Sequence, residues 1–277
     1  MDVLTLEKKA IELKKEVMQL VYTGKTGHTG SDLSCADILV ALYYGVMNID
    51  PQDAKADTRD RYIQSKGHAV EILWVVLADK GFFPKSDLTT FSKYKSIYIG
   101  HPNNKVNGVE MNTGSLGHGL PLAVGSAIAA KLDNKEYHTY TLMGDGELAE
   151  GSIWEGAMAA AQYKLDNLTA IIDYNKLQIS GCVDDVMCTS PLKEKWEAFG
   201  WNVVEVKGND MGELIHALKK KPIKDKPTMI IAHTLKGNGV SDAEDVASWH
   251  HHVPTDDELA RALCELDQQL EVLNNGK

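Results

Sequence analysis

Asp145 stands between two glycines in Met143-Gly144-Asp145-Gly146-Glu147, and Asn175 follows about thirty residues later in Asp173-Tyr174-Asn175. A carboxylate and an amide oxygen, with a free backbone carbonyl just beyond, are hard oxygen ligands of the kind that suit Mg²⁺ or Ca²⁺. Mg²⁺ takes few protein ligands and fills its other positions with phosphate oxygens and water, so a phosphorylated ligand is the natural companion of such a pair. Gly144 and Gly146 leave room for a diphosphate to come close to the backbone. A Gly-Asp-Gly alone reads as a turn; the matching Asn175 is what favours chemistry.

The elements around these residues predict why they would meet. His138 to Met143 reads as a short apolar strand, Gly151 to Tyr163 as a helix rich in Ala, Met and Trp, and Leu168 to Asp173 as a second, buried strand. Strand, helix, strand is a βαβ unit, whose crossover brings both strand ends to one edge of a parallel sheet. Asp145 and Asn175 then emerge at the carboxyl edge, where open α/β sheets bind ligands.

Four other stretches carry histidines in unusual settings. His28 lies in the glycine-rich Gly24-Lys25-Thr26-Gly27-His28-Thr29-Gly30-Ser31, with no apolar neighbours to pack on. His68 closes Ser65-Lys66-Gly67-His68-Ala69, and His101 precedes Pro102, which holds it extended on a stiff turn. Gly108 to Leu120 (GVEMNTGSLGHGL) leads into an Ala/Gly/Ser helix and reads as backbone close to a ligand. Trp249 is followed by His250, His251 and His252, a run that by composition alone could bind metal nonspecifically.

Taken together, GDGELAEGSIWEGAMAAAQYKLDNLTAIIDYNKLQISG, GHTGSDLS, SKGHA, GVEMNTGSLGHGL and TLKGNGV resemble the motifs of transketolases. The resemblance spans nearly the whole chain. It implies an α/β fold, a parallel sheet with helices on both faces forming a thiamine-diphosphate-binding domain over residues 1–277. It implies that Asp145, Asn175 and the carbonyl of Leu177 hold Mg²⁺ (or Ca²⁺) against the diphosphate of thiamine diphosphate. The cofactor-binding set it implies is His68, Gly114, Ser115, Leu116, Gly144, Asp145, Gly146, Glu150, Asn175 and His233, with Leu116 near the bend between the cofactor's rings. Glu150 reads first as an interface carboxylate, with a solvated helix start as the alternative. His28 and His250 are expected to move protons, since imidazole gives and takes them near neutral pH, and His101 to meet the sugar. His251 stands where the family's W-H-G has glycine, which leaves the choice within the histidine run open.

The implied reaction is transfer of a two-carbon ketol unit from a ketose to an aldose. The chain ends where transketolases continue into a pyrimidine-binding domain. The expectation is therefore the N-terminal subunit of a split enzyme, completed by a C-terminal subunit in an α₂β₂ complex. Departures from the common GHxGG and WHG wording point to a specialised catabolic substrate rather than pentose-phosphate flux, and the expected ketose is phosphorylated or otherwise anionic. Two readings stay open beside it: another thiamine-diphosphate enzyme subunit, or a non-enzymatic Mg-nucleotide module.

Composition narrows the classes. A net charge of −10 argues against nucleic acid and anionic membrane as partners. Cys35, Cys182, Cys188 and Cys264 form no CxxC pair and read as reduced thiols, consistent with a cytoplasmic protein. No stretch has the length of a membrane span. The aromatic group Trp74, Phe82, Phe83, Phe91 and Tyr94 reads as core, and Thr255 to Leu273 as an amphipathic helix opened by a capping box.

Overall fold

The computed structural model describes residues 1–276. Five parallel strands form one sheet: β1 (Arg61–Gln64), β2 (Thr139–Gly144), β3 (Leu168–Tyr174), and, after a two-residue hairpin pair β4 (Leu177–Gln178) and β5 (Gly181–Cys182), β6 (Asn202–Lys207) and β7 (Thr228–His233). The order across the sheet is β1-β2-β3-β7-β6. In register, Gly144 lies opposite Asp173 and Tyr174 opposite His233, so the chain leaves the central strands at one common edge.

The helices are α1 (Val3–Gly24), α2 (Thr29–Val40), α3 (Val70–Lys80), α4 (Gly119–Leu132), α5 (Gly151–Gln162), α6 (Val183–Met187), α7 (Leu192–Ala198), α8 (Met211–Leu218) and α9 (Asp256–Asn274). The near-continuous apolar runs of the central strands are divided by the two-residue period of a strand. Leu142, Ile171 and Ile230 face a core shared with α1, α2, α3 and α8. Met143, Ala170, Ile172, Met229 and Ile231 face a second core built with α4, α5 and α7. Each fully buried Ile or Leu contributes roughly 1.5–3 kcal/mol through removal from water. The expected layers, helices on both faces of a parallel sheet, are those observed.

α9 begins at Thr255 in a full capping box with Glu258 and packs on α1 through Leu266 and Ala262, which join Ile11 and Met18. That third cluster includes Trp249 and Val240, so α9 presses the 237–251 segment toward the sheet edge.

α2 starts at Thr29, inside the glycine-rich stretch, and relaxes into a π-turn over Ala41–Val46. One local expectation is corrected. Tyr94 is not core: it is 91% exposed, because the segment after Phe91 runs as turns over the surface.

Candidate active site

The carboxyl edge of the sheet opens into a cavity of about 310 Å³. β1 delivers Lys66 and His68, β2 delivers Gly144, Asp145 and Gly146, β3 delivers Asn175 and Leu177, and the segment after β7 delivers Lys236 and His250. His28, just before α2, and Ser31, in its first turn, also line it, and the loop before α4 adds Gly114 and Leu116.

Three oxygen donors converge there. Asp145 is buried; its Oδ1 accepts from the Gly146 N–H at 2.8 Å and its Oδ2 from the Lys176 N–H, which ties the β2 turn to the β3 turn. The Asn175 Oδ1 accepts from the Leu177 N–H at 3.0 Å, while its amide nitrogen donates to the Ser34 Oγ at 3.1 Å. Burial, with the neighbouring Asp173 carboxylate second, pushes the Asp145 carboxyl up to about 6. A buried carboxylate short of positive charge beside an amide and a carbonyl oxygen fits a hard divalent cation. Among the described residues no group of three or more His, Cys, Asp or Glu is arranged to hold a metal, so such an ion would depend on the Asn175 and Leu177 oxygens.

A charged network supports this layer from beneath. The Lys66 ammonium pairs with Asp173 and also donates to the Ser31 carbonyl at 3.2 Å. Asp173 accepts in addition from Ser34 Oγ at 2.6 Å and from Thr234 Oγ1. Lys236 is buried and, among the described residues, has no carboxylate partner; its Nζ donates to the Leu177 carbonyl at 3.1 Å and to Nδ1 of His250 at 3.0 Å. Burial first and the Lys66 charge second bring the Lys236 ammonium down to about 8, a cation in need of an anion. With Lys236 as donor, a neutral His250 carries its proton on Nε2.

The histidines form one cluster. The His28 ring lies 5.2 Å from His68, 5.6 Å from His250, 4.7 Å from His251 and 6.4 Å from His101, centroid to centroid. Burial lowers His28 to about 4, assisted by His251 and His101, and lowers His250 to about 3, assisted by Lys236. His68 is driven well below its ordinary value by burial and Lys66, and His101 is lowered by burial. These shifts favour the uncharged form of the four rings, in which one ring nitrogen of each is an acceptor. Close approach depends on glycine at two points: a Cβ on Gly114, whose φ is +134°, would lie 2.5 Å from the His101 ring, and one on Gly30 would lie 2.8 Å from the Trp249 carbonyl oxygen.

Ten of the expected residues therefore share the cavity: His28, His68, Gly114, Leu116, Gly144, Asp145, Gly146, Asn175, Leu177 and His250. His101 stands beside it against His28, and Ser115 is exposed next to it. Two do not come. His233, expected in the cofactor-binding set, points away: its Nε2 lies 2.8 Å from Glu205 on β6 and its ring edges onto Tyr174. Glu150 is exposed at the start of α5, outside the cavity lining, as an interface carboxylate or a solvated helix start would be in this chain alone.

Sequence reading missed Ser31, Lys66, Glu147, Gln178 and Lys236 as cavity residues. Glu147 is the most informative, because it is buried and accepts from Ser65 Oγ, from the Gly117 N–H at 2.9 Å and from the Gly144 N–H at 3.1 Å. It staples the Gly114–Leu116 loop to the Gly-Asp-Gly turn. Its only sequence signal was position in GDGE, whereas its partners lie at Ser65 and Gly117.

A parallel sheet whose carboxyl edge gathers oxygen ligands suited to a cation, a buried lysine and a cluster of histidines suits a phosphorylated ligand held through that cation. A family model described as transketolase, thiamine diphosphate binding domain, matches residues 7–269, and the chain belongs to that family. It is 48% identical, over 100% of both chains, to an apulose-4-phosphate transketolase subunit from Phocaeicola vulgatus. It is 38% identical to the 6-deoxy-6-sulfo-D-fructose transketolase subunit SqwG of a Clostridium species, over 95% of this chain and 97% of that one. Among solved structures, transketolase from Campylobacter jejuni superposes with a TM-score of 0.86 at 29% identity, covering 99% of this chain and 48% of that chain. The chain thus spans about half the length of the solved transketolases it matches and the full length of the Phocaeicola protein. Among the described residues no helix is long and apolar enough to cross a membrane.

Proposed function

We propose that this chain is the diphosphate-binding subunit of a heteromeric transketolase that moves a two-carbon ketol unit from an anionic ketose to an aldose. The observation that carries this reading is the junction of Asp145, Asn175 and the Leu177 carbonyl with the His28–His68–His250 cluster in one cavity. Bound thiamine diphosphate supplies the electron sink that allows the ketose C2–C3 bond to break and re-form on another aldehyde. This chain's own residues would hold the cofactor's diphosphate and face the reacting sugar. Asp145, Asn175 and Leu177 would hold Mg²⁺ (or Ca²⁺), and Lys236 would meet diphosphate oxygens. His28 and His250, neutral and adjacent, would accept and return the hydroxyl proton of the reacting sugar. His68 and His101 would orient hydroxyl groups or phosphate oxygens at the mouth.

The partner reading is supported by the names of the relatives, which are subunits, and by an apolar rim. Ile179, which lines the cavity, is 69% exposed, and Val186 and Met187 on the following α6 are exposed beside it in sequence. We infer a second polypeptide carrying a pyrimidine-binding domain, assembled as α₂β₂, that covers this rim and closes the site. The substrate reading follows the relatives' names, a phosphorylated sugar in one and a sulfonated ketose in the other.

The test is a donor–acceptor screen of the purified pair of subunits, with phosphorylated and sulfonated ketoses as donors and short aldehydes as acceptors. Ketol transfer that saturates at equimolar subunits is expected. Transfer by this chain alone, free of any partner by mass spectrometry, would overturn the split-enzyme reading.

A further inference from the structure

Behind the histidine loops lies a feature that the proposed chemistry does not use. Asp32, in the first turn of α2, and Glu71, in the first turn of α3, are both completely enclosed, at 0% and 1% exposure. One oxygen of Asp32 accepts from the Ile72 N–H at 3.1 Å, so the α2 acid caps the start of α3. Among the described residues, Asp32 Oδ2 and Glu71 Oε2 are buried with no hydrogen-bond partner, and the two carboxyls lie close enough for each to shift the other.

Two carboxylates in contact, out of water, cannot both be ionised. The nearest cation, Lys66, is already paired with Asp173. A hydrogen bond between two carboxyls needs a proton on one of them, because ionised carboxylates only accept. Burial raises both groups, Glu71 to about 7 and Asp32 well above its usual range, in keeping with a retained proton.

We propose that Asp32 and Glu71 share a single proton and, as one hydrogen-bonded pair, set the separation of the loops that carry His28 and His68. Asp32 lies four residues after His28 and Glu71 three after His68, so the pair buckles together the two helix starts from which these rings project. They are positioning residues and touch no substrate. The positioning role rests on reading His28 and His68 as site residues; the shared proton does not.

The experiment has two arms on the full chain. In the first, infrared spectra at pH 7 compare wild type with the Asp32→Asn/Glu71→Gln double variant. A protonated-carboxyl C=O band equivalent to one group is expected in wild type and lost in the double variant; its absence from wild type, or its persistence in the double variant, overturns the proposal. In the second, ¹⁵N NMR of the imidazoles follows His28 and His68 while ketol transfer is assayed with the partner present. Asp32→Asn and Glu71→Gln should keep both ring signals and turnover near wild type, since an amide still bonds a carboxyl. Asp32→Ala should shift both rings and lower kcat by about tenfold or more, the scale of a small misplacement of reacting groups, with cofactor affinity little changed. Amide variants as damaging as alanine would overturn the positioning role, as would rings that do not move in Asp32→Ala. If Asp32→Ala does not fold, the amide variants and the infrared band still decide. If no partner yields ketol transfer, the infrared and NMR readouts stand, so failure of the functional reading is told apart from failure of this one.

Discussion

The Lys66 ammonium and the Asp173 carboxylate, at 1% and 0% side-chain exposure, form an ion pair that joins the end of β1 to the end of β3 beneath the cavity. Burial alone would raise the Asp173 carboxyl; the Lys66 charge overcomes it and holds the group below its ordinary value. Lys66→Met should therefore destabilise the chain by about 3–5 kcal/mol, because it strands a buried carboxylate. Urea unfolding of the purified chain measures this. A loss below about 1 kcal/mol, the scale of an exposed pair, would show that Asp173 finds another partner.

Asp145→Ala should abolish retention of thiamine diphosphate, because the oxygen set loses its one charged member. Asn175→Ala should weaken binding less, since water replaces a neutral amide oxygen. Calorimetric titration of the cofactor at several Mg²⁺ concentrations separates the two. Wild-type affinity in Asp145→Ala would refute the site.

His28→Ala and His250→Ala should each lower turnover of the completed enzyme by about two orders of magnitude, the usual worth of a placed acid–base group. Cofactor affinity should hardly change. His251, 4.7 Å from His28 but exposed, should matter less when replaced. Equal losses at His250 and His251 would remove the case for His250.

The neutral His250 also predicts a pH dependence. Its folded value, about 3, lies below its ordinary 6.5, so the unfolded chain binds the extra proton and stability is lost as pH falls through that interval. Between pH 8 and pH 5, His250→Gln should lose up to about 2 kcal/mol less stability than wild type, since each pKa unit is worth about 1.4 kcal/mol. Parallel unfolding curves at the two pH values give the difference. Equal pH losses in both proteins would mean that His250 is not held neutral by the fold.

Much of the site was legible because its signals are local. A Gly-Asp-Gly between an apolar strand and a helix, followed by Asn175 at the next strand end, states its own geometry through the crossover rule of βαβ units. The histidine loops were legible as unusual settings, since polar rings among glycines have no core to pack in. Parity along β7, by contrast, decided against His233: its neighbour Ala232 turns to the core, while His233 itself reaches Glu205 on the next strand.

What only the tertiary structure decided are the pairings of charge. Lys66 and Asp173 are 107 residues apart, Ser65 and Glu147 are 82 apart, and Lys236 meets Leu177 across 59. In the sequence Lys66, Asp173, Ser65, Glu147 and Lys236 read as ordinary polar residues, because the cost of burying a charge and the partner that offsets it are properties of the packed interior. The same holds for Asp32 and Glu71, whose types alone would place them in solvent. The periodicity of the chain determined the layers and the edge at which ligands bind; the enclosure of that edge, which no residue carries by itself, determined which side chains are charged there and which are neutral.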